Sequence, residues 1–330
     1  MAKAPTRRVE VKERPFRAAK RTEEKALSAR RRPVRSEAER AKNALHATLI
    51  IMSAGDTKTP SVSDTANTNQ HYVPQMLQRG FTTTKDSEQV WVFDKRTGNA
   101  FISGIRNIAA ERGYYDLGGS AILDAAMNRA DDLAARIINR IRDRSSLAGV
   151  TLDDRGMLAG IVVMQLLRTR GHQEHTRHVA QMLLKKLTEM SDGISPAMEA
   201  EFSEQQLREE YLGRIPKFTG DFLPHLLNKD LMLFGTNRNV PFCISDNPVA
   251  LNNMLNPGDG IRGTLGLAVP GIEIYLPISS ELTLAYMCPS VGQQYEEIRN
   301  KLWRLGGIYQ GRCLHFPSSA GHRKTLGSET

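Results

Sequence analysis

Residues 272–286, Ile-Glu-Ile-Tyr-Leu-Pro-Ile-Ser-Ser-Glu-Leu-Thr-Leu-Ala-Tyr, hold two short β-rich runs, Ile272–Leu276 and Leu282–Tyr286, split by Pro and Ser. β-branched and aromatic side chains suit a pleated surface, and the Pro and Ser residues punctuate it. A similar run, Phe242-Cys-Ile-Ser245, lies upstream, and downstream a helix is expected over about 293–305 with a last strand at Gly307–Gln310. The stretch before residue 230 reads differently. Leu123, Met127, Ala130, Leu133, Ala134, Ile137, Ile138 and Ile141 recur at helical spacing. Thr151-Leu-Asp-Asp154 is a helix-start signal for a second helix running through Ile161-Val-Val-Met164 toward Gly171. Further helical pattern covers about 173–190 and 196–213. Near the front, a short helix follows Pro74, and Gln89–Phe93 and Ala100–Ile102 flank a Lys95-Arg-Thr-Gly98 turn, which predicts a hairpin. Strands, then several helices, then strands again predict an α+β fold: an N-terminal hairpin, a central helical bundle, and C-terminal mixed or antiparallel strands packed with the helices.

Charge is distributed unevenly. Residues 1–52 contain fifteen Lys and Arg against six Glu, while the other 278 residues carry 30 basic and 30 acidic side chains. The pI of about 9.5 therefore reflects a tail and not the surface of the body. Residues 1–35 have almost no large apolar side chains and are expected to be disordered, with a short helix over about 37–51 behind the Ser36/Glu39 capping box and a flexible linker over 53–68. The rest, 69–330, is expected to form a single globular domain. The tail is the expected contact for nucleic acid, through salt-sensitive and sequence-indifferent binding.

Three cysteines with no C-x-x-C pair argue against a disulfide framework or a thiolate zinc site, and point to a reducing cytoplasm. No stretch approaches the roughly 18–20 apolar residues that span a bilayer. The chain has no G-x-G-x-x-G, Walker loop, G-x-S-x-G elbow or kinase motif set, and no nucleotide or flavin cofactor is expected.

Three polar clusters could carry chemistry. The first is Asn69-Gln70-His71-Tyr72-Val73-Pro74, where an imidazole stands at the entrance to the fold. It could equally pin the first segment by packing. The second is Ser245-Asp246-Asn247-Pro248, where Pro248 biases Asn247 away from helix and leaves Asp246 at the end of an expected strand. The same residues would serve an Asx turn. The third is Gln165, Arg168 and His172, which share a helix face; an Arg among so many apolar residues needs a carboxylate or an anionic ligand, and Glu111 and Asp246 are the candidates. His172, His175 and His178, three apart, diverge around a helix, so a solvated basic face is expected there and not a metal site.

His71-Tyr-Val-Pro74 with Leu77 and Phe81, Val90-Trp-Val-Phe-Asp94, Asn107-Ile108 with Glu111 and Tyr114-Tyr115, Gln165-x-x-Arg168-Thr169, Phe242-x-Ile-Ser-Asp-Asn-Pro-Val249 and Leu276-Pro-Ile-Ser279 occur in that order. Together they resemble domain-of-unknown-function family 4238, a bacterial family, over roughly residues 69–290. The resemblance implies a shared fold and a shared site, and no activity.

If these motifs converge, the site holds His71, Glu111, Gln165, Arg168, Asp246 and Asn247. Such a set suits metal-assisted phosphodiester hydrolysis: Glu111 and Asp246 as ligands for Mg²⁺ or Mn²⁺, His71 as proton carrier, and Arg168 on a phosphate oxygen. Two non-catalytic readings stand beside it. One is a binding module for an anionic small molecule or peptide end; the other is a structural or regulatory protein docking through its tail.

Overall fold

The computed structural model describes residues 69–117, 122–190, 195–255, 265–304 and 313–316. The expected tail, its helix, the linker and the strand at Gly307–Gln310 lie outside the described residues. Strand β1 (Asn69–His71) leads through Pro74 into a one-turn helix α1 (Gln75–Gln78) and a 3-10 turn, Arg79–Phe81. The hairpin follows as β2 (Gln89–Asp94) and β3 (Asn99–Gly104), with Gly98 at φ +71° in its turn. Strand β4 (Ala110–Arg112) returns to pair antiparallel with β1, setting Gln70 opposite Glu111.

Helices α2 (Ile122–Arg144), α3 (Leu152–Leu167), α4 (Arg170–Met190), α5 (Pro196–Glu201) and α6 (Glu204–Leu227) form the middle. Helix α3 starts on a reciprocal cap: Asp154 N donates to Thr151 Oγ1 at 3.1 Å, and Thr151 N to Asp154 Oδ2 at 3.0 Å. It is buried on almost every side, from Met157 through Met164. Helix α6 runs well past residue 213, through Pro216 and Pro224. A proline inside a helix costs about 3 kcal/mol, but Leu212, Ile215, Leu223 and Leu226 on this helix are fully buried in the core. Packing outweighs the breaker signal.

The C-terminal strands are β5 (Asp230–Gly235), β6 (Ala250–Asn252), β7 (Glu273–Pro277), β8 (Leu282–Met287) and β9 (Cys313–Phe316), with helix α7 (Pro289–Arg304) between the last two. They form one antiparallel sheet in the order β6-β7-β8-β5-β9. The α+β expectation is met, and the strands are antiparallel. Phe242–Ser245 is not a strand: Pro241 and Pro248 bracket it, Phe242 N donates to Ser280 O at 2.8 Å, and pairing begins only at Ala250. Conversely β5, Asp-Leu-Met-Leu-Phe-Gly, carries no alternation and good helix formers, yet lies between β8 and β9. Leu231 and Leu233 enter the main core while Met232 packs on the other face with Ala285, Met287 and Val291.

Helices and sheet share one apolar cluster, from Met76 and Leu77 through α2, α3 and α6 to Ile274, Leu284 and Tyr286. No helix among the described residues is long and apolar enough to cross a membrane.

Candidate functional site

The predicted residues are not all brought together: His71, Gln165 and Arg168 belong to a buried brace, Glu111 lines an open cleft, Asn247 lines a second hollow, and Asp246 lines neither. Arg168, the residue that ends α3, is 0% exposed. Its Nη1 and Nη2 donate to the two carboxylate oxygens of Asp131 at 3.0 and 2.8 Å, and its Nε donates to Gln165 Oε1 at 2.8 Å. Neither Glu111 nor Asp246 is its partner. The carboxylate comes from α2, where Asp131 follows Met127 by four residues and precedes Ala134 by three, so it stands at the edge of the apolar stripe. An acid in that stripe was the signal available in the sequence. Burial works against the charge of both groups, but the bidentate pairing with Asp131 holds Arg168 above its ordinary value.

The brace extends to the first strand. Gln165 Nε2 donates to the Tyr72 carbonyl at 2.8 Å, Tyr114 OH to the Arg168 carbonyl at 2.8 Å, and Tyr115 OH to the His71 carbonyl at 3.0 Å. His71 Nε2 lies 3.0 Å from the Ile105 carbonyl. A carbonyl only accepts, so Nε2 carries the proton. His71, Gln165 and Arg168 are thus brought together, and they hold Tyr72 in place.

The other predicted carboxylates, Glu111 and Asp246, are felt at the Tyr72 hydroxyl. Burial first, then the Asp246 carboxylate, push the Tyr72 phenol up; Arg170 opposes them and Glu111 adds to the rise. Asp246, Glu111 and Arg170 are therefore all within electrostatic reach of that hydroxyl. Ser245 makes the tight turn that Asp246 could have made, since Asn247 N donates to Ser245 Oγ at 3.0 Å and Ser245 Oγ donates to the Asn247 carbonyl at 2.8 Å. Asp246, exposed, forms no hydrogen bond or ion pair among the described residues.

Arg170, at the first position of α4, lies 3.8 Å from Glu111 and 3.2 Å from Glu174. These residues enter a cleft of about 210 Å³ between α4 and α6, joined by Arg177, Glu204 and Arg208. Arg208 is fixed there by donating to the Gly113 and Tyr114 carbonyls at 2.7 and 3.0 Å. Across the start of α4, Gln165, His172, His175 and Asn247 line a second hollow of about 300 Å³. Its wall is tight: a Cβ on Gly171 would come within 2.7 Å of Asn247 Nδ2. Sequence reasoning did not single out Arg170, and gave Tyr72 only a packing role beside His71. Among the described residues no group of three or more His, Cys, Asp and Glu side chains is placed to hold a metal ion.

Burial lowers His71, whose bond to Ile105 and the charge of Asp131 only partly oppose it, and burial followed by the charge of His175 lowers His172. The unfolded chain therefore binds more protons than the folded one between these depressed values and 6.5. Stability from this source is complete above pH 6.5 and is lost as pH falls through the folded values. Urea unfolding should give a lower free energy at pH 5.5 than at 7.5, and His71→Asn with His172→Asn should flatten that difference. An unchanged slope in the double variant would assign the acid sensitivity elsewhere.

The family model described as protein of unknown function (DUF4238) matches residues 69–323, and the chain belongs to that family. No curated protein and no solved structure matches it.

Proposed function

We propose that the cleft at the start of α4 receives an anionic group, so that the chain works as a binding module for an anionic small molecule or peptide end. Arg170 carries this reading. Its side chain is 59% exposed, and its guanidinium meets its carboxylates only at 3.2 and 3.8 Å. Exposed pairs of that kind are worth about 1 kcal/mol or less, so a phosphate or carboxylate displaces them at little cost. The N–H groups of the first turn of a 21-residue helix favour negative charge in the same place. Arg168, already neutralised by Asp131, positions Tyr72 instead of meeting the ligand.

A second reading, metal-assisted phosphodiester hydrolysis, draws support from the unpartnered Asp246. Mg²⁺ is commonly held by one or two carboxylates plus substrate phosphate and keeps several waters, so Glu111 and Asp246 fit Mg²⁺ or Mn²⁺ that arrives with its substrate. When bound, such a cation polarises a phosphoryl oxygen and acidifies a water. In this reading Arg170 neutralises a phosphate oxygen, and Gln165, held by Arg168, fixes the backbone of Tyr72, whose hydroxyl is within electrostatic reach of both carboxylates. Residues 1–52 would add sequence-indifferent affinity for nucleic acid.

One set of measurements separates these readings. Full-length protein is titrated calorimetrically with inorganic phosphate, a nucleoside monophosphate and a short oligonucleotide, and is incubated with labelled DNA and RNA plus Mg²⁺ or Mn²⁺. Arg170→Ala should weaken phosphate or monophosphate binding about tenfold or more, the loss of a charged hydrogen bond. Unchanged affinity removes the binding reading. Chelator-sensitive cleavage abolished by Asp246→Asn and Glu111→Gln supports hydrolysis; cleavage that survives both removes this site. Deleting residues 1–52 should abolish salt-dependent oligonucleotide binding and spare the monophosphate.

A further inference from the structure

Strands β5 and β8 set Asp230 opposite Met287, so the next rung of the ladder brings Lys229 opposite Cys288. Alternation puts both on the face that carries Leu231, Leu233, Leu284 and Tyr286, toward the main core. Lys229 is 5% exposed, and its Nζ lies 3.8 Å from Cys288 Sγ. That sulfur is the amine's one hydrogen-bonding partner among the described residues. Both backbones are pinned: Lys229 N donates to the Leu226 carbonyl at 3.0 Å, Arg155 donates to the Lys229 carbonyl, and the Cys288 carbonyl accepts from Val291 N and Gly292 N at the start of α7.

A buried amine normally finds an oxygen acceptor, because an uncompensated ammonium is costly away from water. A thiol is a weak acceptor. Burial accordingly lowers the Lys229 amine, with Cys288 opposing, which favours the neutral and nucleophilic form. Cys288 is partly exposed as a residue, with the amine beside its sulfur, which gives a small oxidant a route to it from solvent.

We infer that Lys229 and Cys288 form a peroxide-responsive modification site, in which oxidised Cys288 is captured by Lys229 as a reversible sulfur–nitrogen link. Hydrogen peroxide transfers one oxygen to the Cys288 thiol, giving sulfenic acid and water. The Lys229 lone pair then attacks that sulfur, the S–O bond breaks, and the departing hydroxide takes a proton from the amine as a second water. Two electrons from a dithiol reductant restore thiol and amine. The link would tie the start of β5 to the start of α7 and would protect the sulfur from irreversible oxidation.

The test uses full-length protein carrying Cys243→Ser and Cys313→Ser, so that no disulfide can form within the chain. After peroxide, the cross-linked peptides that carry Lys229 and Cys288 should weigh about 2 Da less than the sum of the separate peptides, the two hydrogens lost on S–N formation. Peptide mapping should join Lys229 to Cys288, and dithiothreitol should restore the original mass. Adding Lys229→Met should replace that loss with gains of about 16 or 32 Da localised to Cys288 by fragmentation, the sulfenic and sulfinic acids, as distinct from methionine sulfoxide. Those gains with Lys229 present, or an unmodified Cys288 at peroxide levels that oxidise Cys243 in the unsubstituted chain, would overturn the inference. Mapping the bridge in the unsubstituted chain decides the matter even if Lys229→Met fails to fold.

Discussion

Asp131→Ala is expected to lower the unfolding free energy by about 3–5 kcal/mol, because it leaves the Arg168 guanidinium buried without a counter-charge. Arg168 is wholly inaccessible, and Asp131 supplies both of its carboxylate contacts. The companion variant Arg168→Ala should behave differently with pH. A carboxylate left behind can neutralise itself by taking a proton, whereas a guanidinium cannot. Burial already pushes the Asp131 carboxyl up from 3.8, and without Arg168 that push is opposed by less. The deficit of Arg168→Ala should therefore shrink as pH falls toward 4, while that of Asp131→Ala should not. Urea unfolding at pH 7 and pH 4.5 reads this directly, and matching pH profiles would refute the assignment of the charge pair. The combination Asp131→Leu with Arg168→Met should recover part of the loss, but Gln165 Oε1 would remain buried without its donor, at a cost of about 1–3 kcal/mol. Because Gln165 also holds the Tyr72 carbonyl, these variants should loosen the cleft as well.

The second large effect belongs to Gly80. A Cβ there would lie 2.1 Å from the Ile278 carbonyl oxygen, 2.7 Å from Arg142 Nη2 and 2.9 Å from Ser279 Cα. Two of those neighbours are backbone, so no rotamer change relieves the clash. This is also where the front of the chain is tied to the sheet: Ser280 N donates to the Gly80 carbonyl at 3.0 Å, and Arg142 donates to the Ile278, Met76 and Leu77 carbonyls at 2.7, 2.8 and 3.2 Å. Overpacking by one methyl typically costs about 1–3 kcal/mol, and each strained hydrogen bond adds about 1 kcal/mol. Gly80→Ala should therefore lose about 3 kcal/mol or more in a denaturant titration. Gly98 is the control: it has positive φ, and a Cβ there would meet nothing within 4 Å, so Gly98→Ala should cost only about 1 kcal/mol from backbone strain. Equal losses at the two glycines would mean that close approach at Gly80 is not what matters there.

Local pattern carried much of the architecture. The cap at Thr151 and Asp154, the stripe from Leu123 to Ile141 and the Gly98 turn each rest on interactions within a few residues, and each appears where the sequence predicts it. What local pattern left out involves long-range packing. Helix α6 crosses two prolines because its far end is buried in the common core, and β5 is a strand because it is covered on both faces, neither of which local preference encodes.

For the candidate site, the order of residues was enough to mark His71, Gln165 and Arg168, which the fold brings together, and an arginine in need of a carboxylate, but Glu111 and Asp246 do not meet that arginine. Which carboxylate that is, and hence which arginine is left facing solvent, was settled by the packing of the helices. The reason is that an ion pair is chosen by distance in space: Asp131 is 37 positions from Arg168 along the chain but 2.8 Å away across two helices, and that contact buries Arg168 with its counter-charge while Arg170 stays exposed.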